Sequence, residues 1–260
     1  MRTFSLAVAL TMVGLLGAAP ANAADMPRPV YKAAPAPAVY SWSGFYIGGH
    51  AGAAWSDFQT RWDPLPSVAA FTAQSQSHSF DDTAFVGGAL VGYNWQVQRW
   101  VFGVEGDWSW SGLKSESRQN WLSTFIGVNI DGDTTFGQEV NWLATARGRL
   151  GYLISPQALI YFTGGAAWAD IDYRASAVNP NNGYSASASL SDTVSGYTLG
   201  GGVEWVLYDN WLLRAEYLYY DLSGSKSVVA QSSLFPGFPS GFTWDGLQIH
   251  SVRGGLSYKF

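Results

Sequence analysis

Eight charged residues recur at alternate positions in stretches that otherwise carry almost no charge: Glu105 and Asp107, Arg147 and Arg149, Glu204, Arg214 and Glu216, and Arg253. A spacing of two places neighbouring members on one side of an extended strand. Four acids and four arginines balance in sign. Two chemistries suit them. One is a hydrogen-bonded polar core in which Glu105 and Asp107 face Arg147 and Arg149 across a hairpin; the other is a charged path for ions. Buried charges are ordinarily paired, which favours the core.

Hydrolysis by a nucleophile needs a serine, a histidine base and an orienting acid, and the chain has three histidines. His50 shares the polar parity of its segment and reads as a satisfied interior group. His78 lies between serines near Asp81 and Asp82, a solvated setting. His250 beside Ser251 is adjacency in sequence, not a triad. Asn129, Asp131 and Asp133 open like a calcium loop, but Thr134 stands where glycine is required and Val140 stands at the twelfth position. Gly200-Gly-Gly202 falls within a strand and precedes no helix, so it does not form a phosphate cradle. The expectation is a chain without catalytic residues, metal ligands or a cofactor, and not an enzyme.

The elements that hold these side chains alternate with a period of two. Eight such segments occur: Gly44–Ser56, Phe85–Gln96, Trp100–Ser111, Val140–Leu153, Leu159–Ile171, Ser195–Leu207, Trp211–Leu222 and Leu247–Phe260. In the third, Trp100, Phe102, Val104, Trp108 and Trp110 oppose Glu105 and Asp107. In the fourth, Trp142, Leu150 and Tyr152 oppose Arg147 and Arg149. Such alternation means that the two sides meet different solvents. Short turns near 97–99, 155–158 and 208–210 alternate with four connections of more than 20 residues, rich in Ser, Asp, Asn and Gly. The expected fold is all-β: an eight-stranded antiparallel up-and-down transmembrane β-barrel with long outer loops. Trp95, Trp100, Trp205 and Trp211 fall at the turn end of their strands, and Trp108, Trp110, Trp142 and Trp168 toward the loop end. Two aromatic belts are what the two interfaces of a bilayer select.

A soluble eight-stranded barrel with its rings inside is the rival. Its interior has little room for a dozen aromatic side chains. In a membrane, a register slip that turned the charges to lipid would cost roughly 2–4 kcal/mol per arginine at mid-bilayer, and so on the order of 8–16 kcal/mol for Arg147, Arg149, Arg214 and Arg253 together. The charges therefore belong in the lumen. Composition agrees. Only 13% of residues are charged and 16% are aromatic, which disfavours helical bundles and disorder. With a net charge of −5 and no basic run, nothing marks a nucleic-acid surface. Cysteine is absent, which removes disulfides and thiol chemistry.

Residues 1–23 read as a signal peptide: Arg2 supplies the positive start, Phe4 to Leu16 the apolar stretch and Ala21-Asn22-Ala23 the cleavage site. Residues 24–41 carry Pro27, Pro29, Pro35 and Pro37 and read as a Pro/Ala-rich periplasmic leader. The barrel is expected over residues 42–260. Trp121, Phe125, Phe235, Phe238 and Trp244 in the outer connections suit either a contact patch or packing over the barrel mouth.

Six motifs in order carry a resemblance: Ser43-Gly-Phe-Tyr-Ile-Gly-Gly49, Gly92-Tyr-Asn-Trp-Gln96, Gly103-Val-Glu-Gly-Asp107, Thr145-Ala-Arg-Gly-Arg-Leu-Gly-Tyr152, Arg214-Ala-Glu-Tyr-Leu-Tyr-Tyr220 and Val252-Arg-Gly-Gly-Leu-Ser-Tyr-Lys-Phe260. From Trp42 to Phe260 the chain resembles the small alphaproteobacterial outer-membrane barrels called surface antigens or porin-opacity-type proteins, related in architecture to the OmpA transmembrane domain. The resemblance implies the cell outer membrane of a Gram-negative envelope, with outer-membrane lipid and lipopolysaccharide as neighbours. It implies a structural and surface-antigen role, with a narrow porin-like channel as the alternative; modification of lipid A, the work of some other eight-stranded outer-membrane barrels, is a third and less favoured reading. Leu256, Tyr258 and Phe260 look like the assembly signal read by the β-barrel insertion machinery. Contact with a host surface or a haem compound through the loops also belongs to what the resemblance implies, and no nucleic acid does.

Overall fold

The structure, a computed structural model, describes residues 40–64, 71–73, 76–125, 128–181, 183–222, 224–231 and 239–260. The signal peptide and almost all of the leader, as read from the sequence, lie outside these residues. Twelve strands are described: β1 (Gly44–Pro64), β2 (Phe71–Ala73), β3 (Gln76–Val97), β4 (Trp100–Ser111), β5 (Lys114–Phe125), β6 (Val128–Ser155), β7 (Ala158–Asn179), β8 (Tyr184–Tyr208), β9 (Trp211–Leu222), β10 (Lys226–Ala230), β11 (Ser240–Trp244) and β12 (Leu247–Lys259).

Eight of them close a ring by antiparallel pairing in the order β1, β12, β9, β8, β7, β6, β4, β3 and back to β1. At one end β3–β4, β6–β7 and β8–β9 are joined by two-residue turns. Gln98 and Asp209 open two of these turns at positive φ, the backbone twist that tight hairpins demand.

The other end differs from the expected loops. Among the described residues, most of each long connection is strand. β6 and β7 stay paired from Ser155↔Ala158 up to Asp133↔Val178, and β7 and β8 continue to Asn179↔Tyr184. The reason is visible in the side chains. Along β7 the outward residues change from Ile160, Phe162 and Trp168 to Asp170, Asp172 and Arg174, while Ala169, Ile171, Tyr173 and Ala175 point inward and are buried. β12 switches in the same way between His250 and Val252, and on β6 a bulge between Val140 and Trp142 accompanies the change. The period of two persists, but the apolar side exchanges outside for inside.

Beyond that level the ring divides. β4 stops at Ser111 and β9 at Leu222, and the two lie on opposite sides of the ring. One half-shell is β5–β6–β7–β8; the other is β3–β1–β11–β10. β2 pairs with β5 and spans one slit. Across the other, Lys226 forms an ion pair with Asp192, and the Tyr184 hydroxyl lies 2.9 Å from Ser240 Oγ. Between the half-shells Phe136, Phe242, Trp244, Tyr173 and Trp62 form a buried apolar core.

Candidate functional site

The lumen within the eight-stranded ring is the densest collection of chemistry in the chain. β4 and β6 place Glu105 opposite Arg147, Asp107 opposite Thr145 and Gly103 opposite Arg149. β8 and β9 pair Glu204 with Arg214, and β9 and β12 pair Glu216 with Arg253. All eight of these charged side chains are at most 2% exposed.

The ions form one connected network. Arg147 reaches three acids: Glu105 at 2.5 Å, Asp107 at 2.9 Å and Glu216 at 3.1 Å. Arg149 contacts Glu204 at 2.7 Å and Glu105 at 3.5 Å. Arg214 joins the same two acids at 2.6 and 2.7 Å. Arg253 closes the cycle on Asp107 at 3.0 Å and Glu216 at 2.7 Å. Four guanidinium and four carboxylate groups leave no formal charge over. Arg147, Arg149 and Arg253 donate hydrogen bonds to these acids, and charge-assisted bonds of this length are the strong kind. Arg214 touches its two acids as ion pairs without hydrogen-bond alignment. With an opposite charge beside every ion, the network avoids the cost of an isolated buried charge.

Neutral groups complete it. Tyr46 donates to Glu105 at 2.7 Å and accepts from Arg149 at 2.8 Å. Tyr161 donates to Glu216 at 2.9 Å while its ring centre lies 4.0 Å from the Arg149 guanidinium carbon. Thr145 donates to Asp107. His50 Nε2 lies 2.7 Å from Ser109 Oγ and accepts from Arg253 at 3.2 Å. The two tyrosine rings need glycine beside them. A Cβ on Gly92 would stand 2.3 Å from the Tyr46 hydroxyl, and one on Gly202 would stand 2.7 Å from that of Tyr161.

Both ends of the network are covered. Toward the turns, Trp42 is fully buried with Val101, Leu153, Leu159 and Leu212. Its indole donates to the Pro156 carbonyl at 3.2 Å, and its backbone N–H donates to Gln96 Oε1 at 2.7 Å. Lys259 donates to the Ser43 carbonyl at 3.3 Å beside it. Toward the other end stands the aromatic core between the half-shells.

Alternation places Ser109 and Thr145 on the charged side of their strands but gives them no partner; it leaves Tyr46 and Tyr161 unassigned, although the same parity applies to them. Trp42 lies before the first alternating segment and gave no periodic signal. Trp244 packs inside the mouth; the side chains of Trp121 and Phe125, and residues Phe235 and Phe238, are outside the description, as is the side chain of His78. His250 is at the outer surface, stacked on Trp55 with ring centres 5.7 Å apart, and its Nδ1 lies 2.7 Å from the Tyr217 hydroxyl.

The outer surface of the ring is apolar, with aromatic residues at two levels. Trp95, Trp100, Trp205 and Trp211 are exposed near the turns, with Phe260 and the adjacent Tyr258. Trp108, Trp110 and Trp168 are exposed at the level where the pattern exchanges sides, and Trp142 is half-buried against Trp110 on the next strand. Leu256 shares the outer side of β12 with Tyr258. Between the levels the outward residues include Gly49, Ala51, Gly106, Ala146 and Gly148.

Residues 30–260 match the family model described as the outer membrane protein beta-barrel domain. The chain belongs to this family of outer-membrane β-barrels. Among its relatives is the 31 kDa outer-membrane immunogenic protein of Brucella melitensis biotype 1, 34% identical over 259 residues, covering 97% of this chain and 99% of that one. The 22 kDa outer membrane protein of Rhizobium leguminosarum bv. viciae is 30% identical over 227 residues, 87% of this chain and 82% of that one. A solved structure of similar outline is the outer membrane protein OprG of Pseudomonas aeruginosa, with a TM-score of 0.47 at 13% identity, covering 84% of this chain and 97% of that one. This barrel is an integral protein of the outer membrane and contacts its lipid. Its two-residue turns face the periplasm, and the half-shells stand outside.

Proposed function

We propose that this protein is a sealed structural barrel of the outer membrane that presents its two half-shells as surface antigen and conducts no solute. The observation that carries the reading is the stoppered lumen: Trp42 below, the closed ion network in the middle and the aromatic core above. An eight-stranded ring is only just wide enough for side chains to fill, and here they are bonded to one another. Relatives named as immunogenic outer-membrane proteins support the antigenic part.

The remaining roles follow from position. The eight outward tryptophans serve as two interfacial girdles. Leu256, Tyr258 and Phe260 serve as the signal for the insertion machinery. Any host-surface or haem-compound contact belongs to the half-shells rather than to the lumen.

A catalytic role is not part of this reading. His50 and Ser109 are within bonding distance, but Arg253 donates to the same ring nitrogen, and both side chains are buried in the barrel wall. Planar-bilayer recording on refolded, heat-modifiable protein tests the proposal. The expected record is flat, with no sugar uptake in liposome swelling. Steady conductance from the unmodified barrel overturns it in favour of a narrow porin.

A further inference from the structure

The outer face of the β5–β6–β7 half-shell carries a depression of about 360 Å³. Gly137 forms its floor, with Glu116 and Arg174 on either side in the same cross-strand row. The row below is Lys114, Glu139 and Asp172, and the hydroxyls of Thr135 and Ser176 line the upper rim.

Arg174 sets this depression apart. Five Lys and Arg residues stand on the extracellular part: Arg61, Lys114, Arg118, Arg174 and Lys226. Arg61 is paired with Asp63, Lys114 with Glu139, Arg118 with Asp133 and Lys226 with Asp192. Among the described residues, Arg174 alone of the five has no carboxylate within ion-pair distance. Its strand neighbour Asp172 is already engaged by Ser191 and by Asn141.

Depth defines what meets it. Gly137 lies five residues beyond Trp142 on β6. At about 3.3 Å per residue and a tilt near 40°, this puts the depression roughly 12 Å above the outer ring of tryptophans. That is above the hydrocarbon and inside the sugar layer of an outer leaflet built from glycolipid. Asp172 feels the Arg174 charge from along the strand, but among the described residues no carboxylate occupies the guanidinium fork, and such a fork suits a phosphate in bidentate fashion. Glu116 beside it would repel a bare anion but accepts hydroxyl hydrogens, as do the rim hydroxyls.

We infer that this depression binds a phosphorylated sugar of the outer-leaflet glycolipid, with Arg174 on the phosphate and Glu116, Thr135 and Ser176 on the sugar hydroxyls. The assignment of depth rests on the proposed outer girdle.

The test is a titration of refolded full-length protein in detergent micelles with lipopolysaccharide, with the same material stripped of phosphate, and with inorganic phosphate. Wild type is expected to bind intact lipopolysaccharide about tenfold more tightly than the stripped form, the equivalent of one charge-assisted bond. Arg174→Ala should lose that factor and Arg174→Lys should keep part of it. Gly137→Phe should lose it too, by filling the depression: a Cβ there has its nearest neighbour at 3.7 Å, so the backbone need not move. Equal binding of intact and stripped lipopolysaccharide overturns the inference, as do variants that bind like wild type. Tight binding of inorganic phosphate alone overturns it in favour of a free-anion site. Quenching of tryptophan by brominated lipid, measured on every variant in vesicles, reports insertion separately. Its loss in wild type overturns the girdle, and with it the depth on which the inference rests.

Discussion

The lumen inside the membrane and the space between the half-shells lie on the same inward face of the same strands, yet they are built oppositely. Below, Arg147, Arg149, Arg214 and Arg253 meet four carboxylates. Above, Phe136, Phe242, Trp244 and Tyr173 meet one another. The difference follows from what lies outside. Where the exterior is hydrocarbon, apolar side chains are required there, and the polar groups of the sequence must turn inward and pair. Where the exterior is water, the half-shells fold as any soluble pair of sheets does, oil inward and charge outward. Strand continuity is indifferent to the exchange, because backbone ladders satisfy themselves in either medium.

Breaking the lower layer should cost most. Arg147→Ala strands Glu105, Asp107 and Glu216 around a lost cation, and removing one partner of a buried network costs about 3–5 kcal/mol. The expected result is a lower urea midpoint for the folded, heat-modifiable form in vesicles. Phe136→Ala tests the upper layer. It should cost about 3 kcal/mol as a buried aromatic truncation, but chiefly above the membrane. Proteinase digestion of the exterior should accelerate while the ring itself survives. If both variants lose the ring together, the two layers are one cooperative unit and the contrast fails.

Two glycines sharpen the comparison at smaller scale. Gly202→Ala places a Cβ 2.5 Å from the Ala215 carbonyl oxygen and 2.7 Å from the Tyr161 hydroxyl, an overpacking expected to cost about 1–3 kcal/mol. Gly137→Ala, in the open outer wall, should be neutral or stabilise by about 0.4–1 kcal/mol. Equal effects in the same unfolding assay would remove the distinction between a packed lumen and an open exterior.

The smallest effect concerns pH. Asp57 and Asp81 stand opposite each other on β1 and β3. The hydrogen bond from one carboxyl to the other, and then their mutual repulsion, raise Asp81 above the ordinary carboxylate value. A raised acid binds its proton more tightly in the folded state than in the unfolded one. Stability therefore declines as pH rises through that raised value. Asp81→Asn should lift the urea midpoint slightly at pH 7, and the gain should vanish below about pH 3, where the carboxyl is protonated in both the folded and the unfolded state. A gain that stays constant across this range would point away from titration.

Within the membrane the sequence was legible because one parity carries the oil and the other the charge throughout each segment. Glu105 and Asp107 against Trp108 and Trp110 leave no second register. Legibility ended where the pattern exchanged sides. Asp170, Asp172 and Arg174 look like loop residues until Ile171, Tyr173 and Ala175 are seen as the inner side of the same strand. The partners in the lumen were harder still. Alternation says that Arg149 points inward but not that it reaches Glu204, which is 55 positions away and set by ring closure. Trp42, outside any repeat, could be placed only by the cavity it fills.

β4 and β9 end on opposite sides of the ring, near the level where the outward side chains turn from apolar to polar, so the exterior consists of two flaps on a shared hoop. Lengthening the β6–β7 or β7–β8 ribs changes how far one flap projects without altering the hoop's circumference or its tilt in the bilayer. The projecting part can thus vary in height and side chains while the part that must be inserted and held in the envelope stays the same.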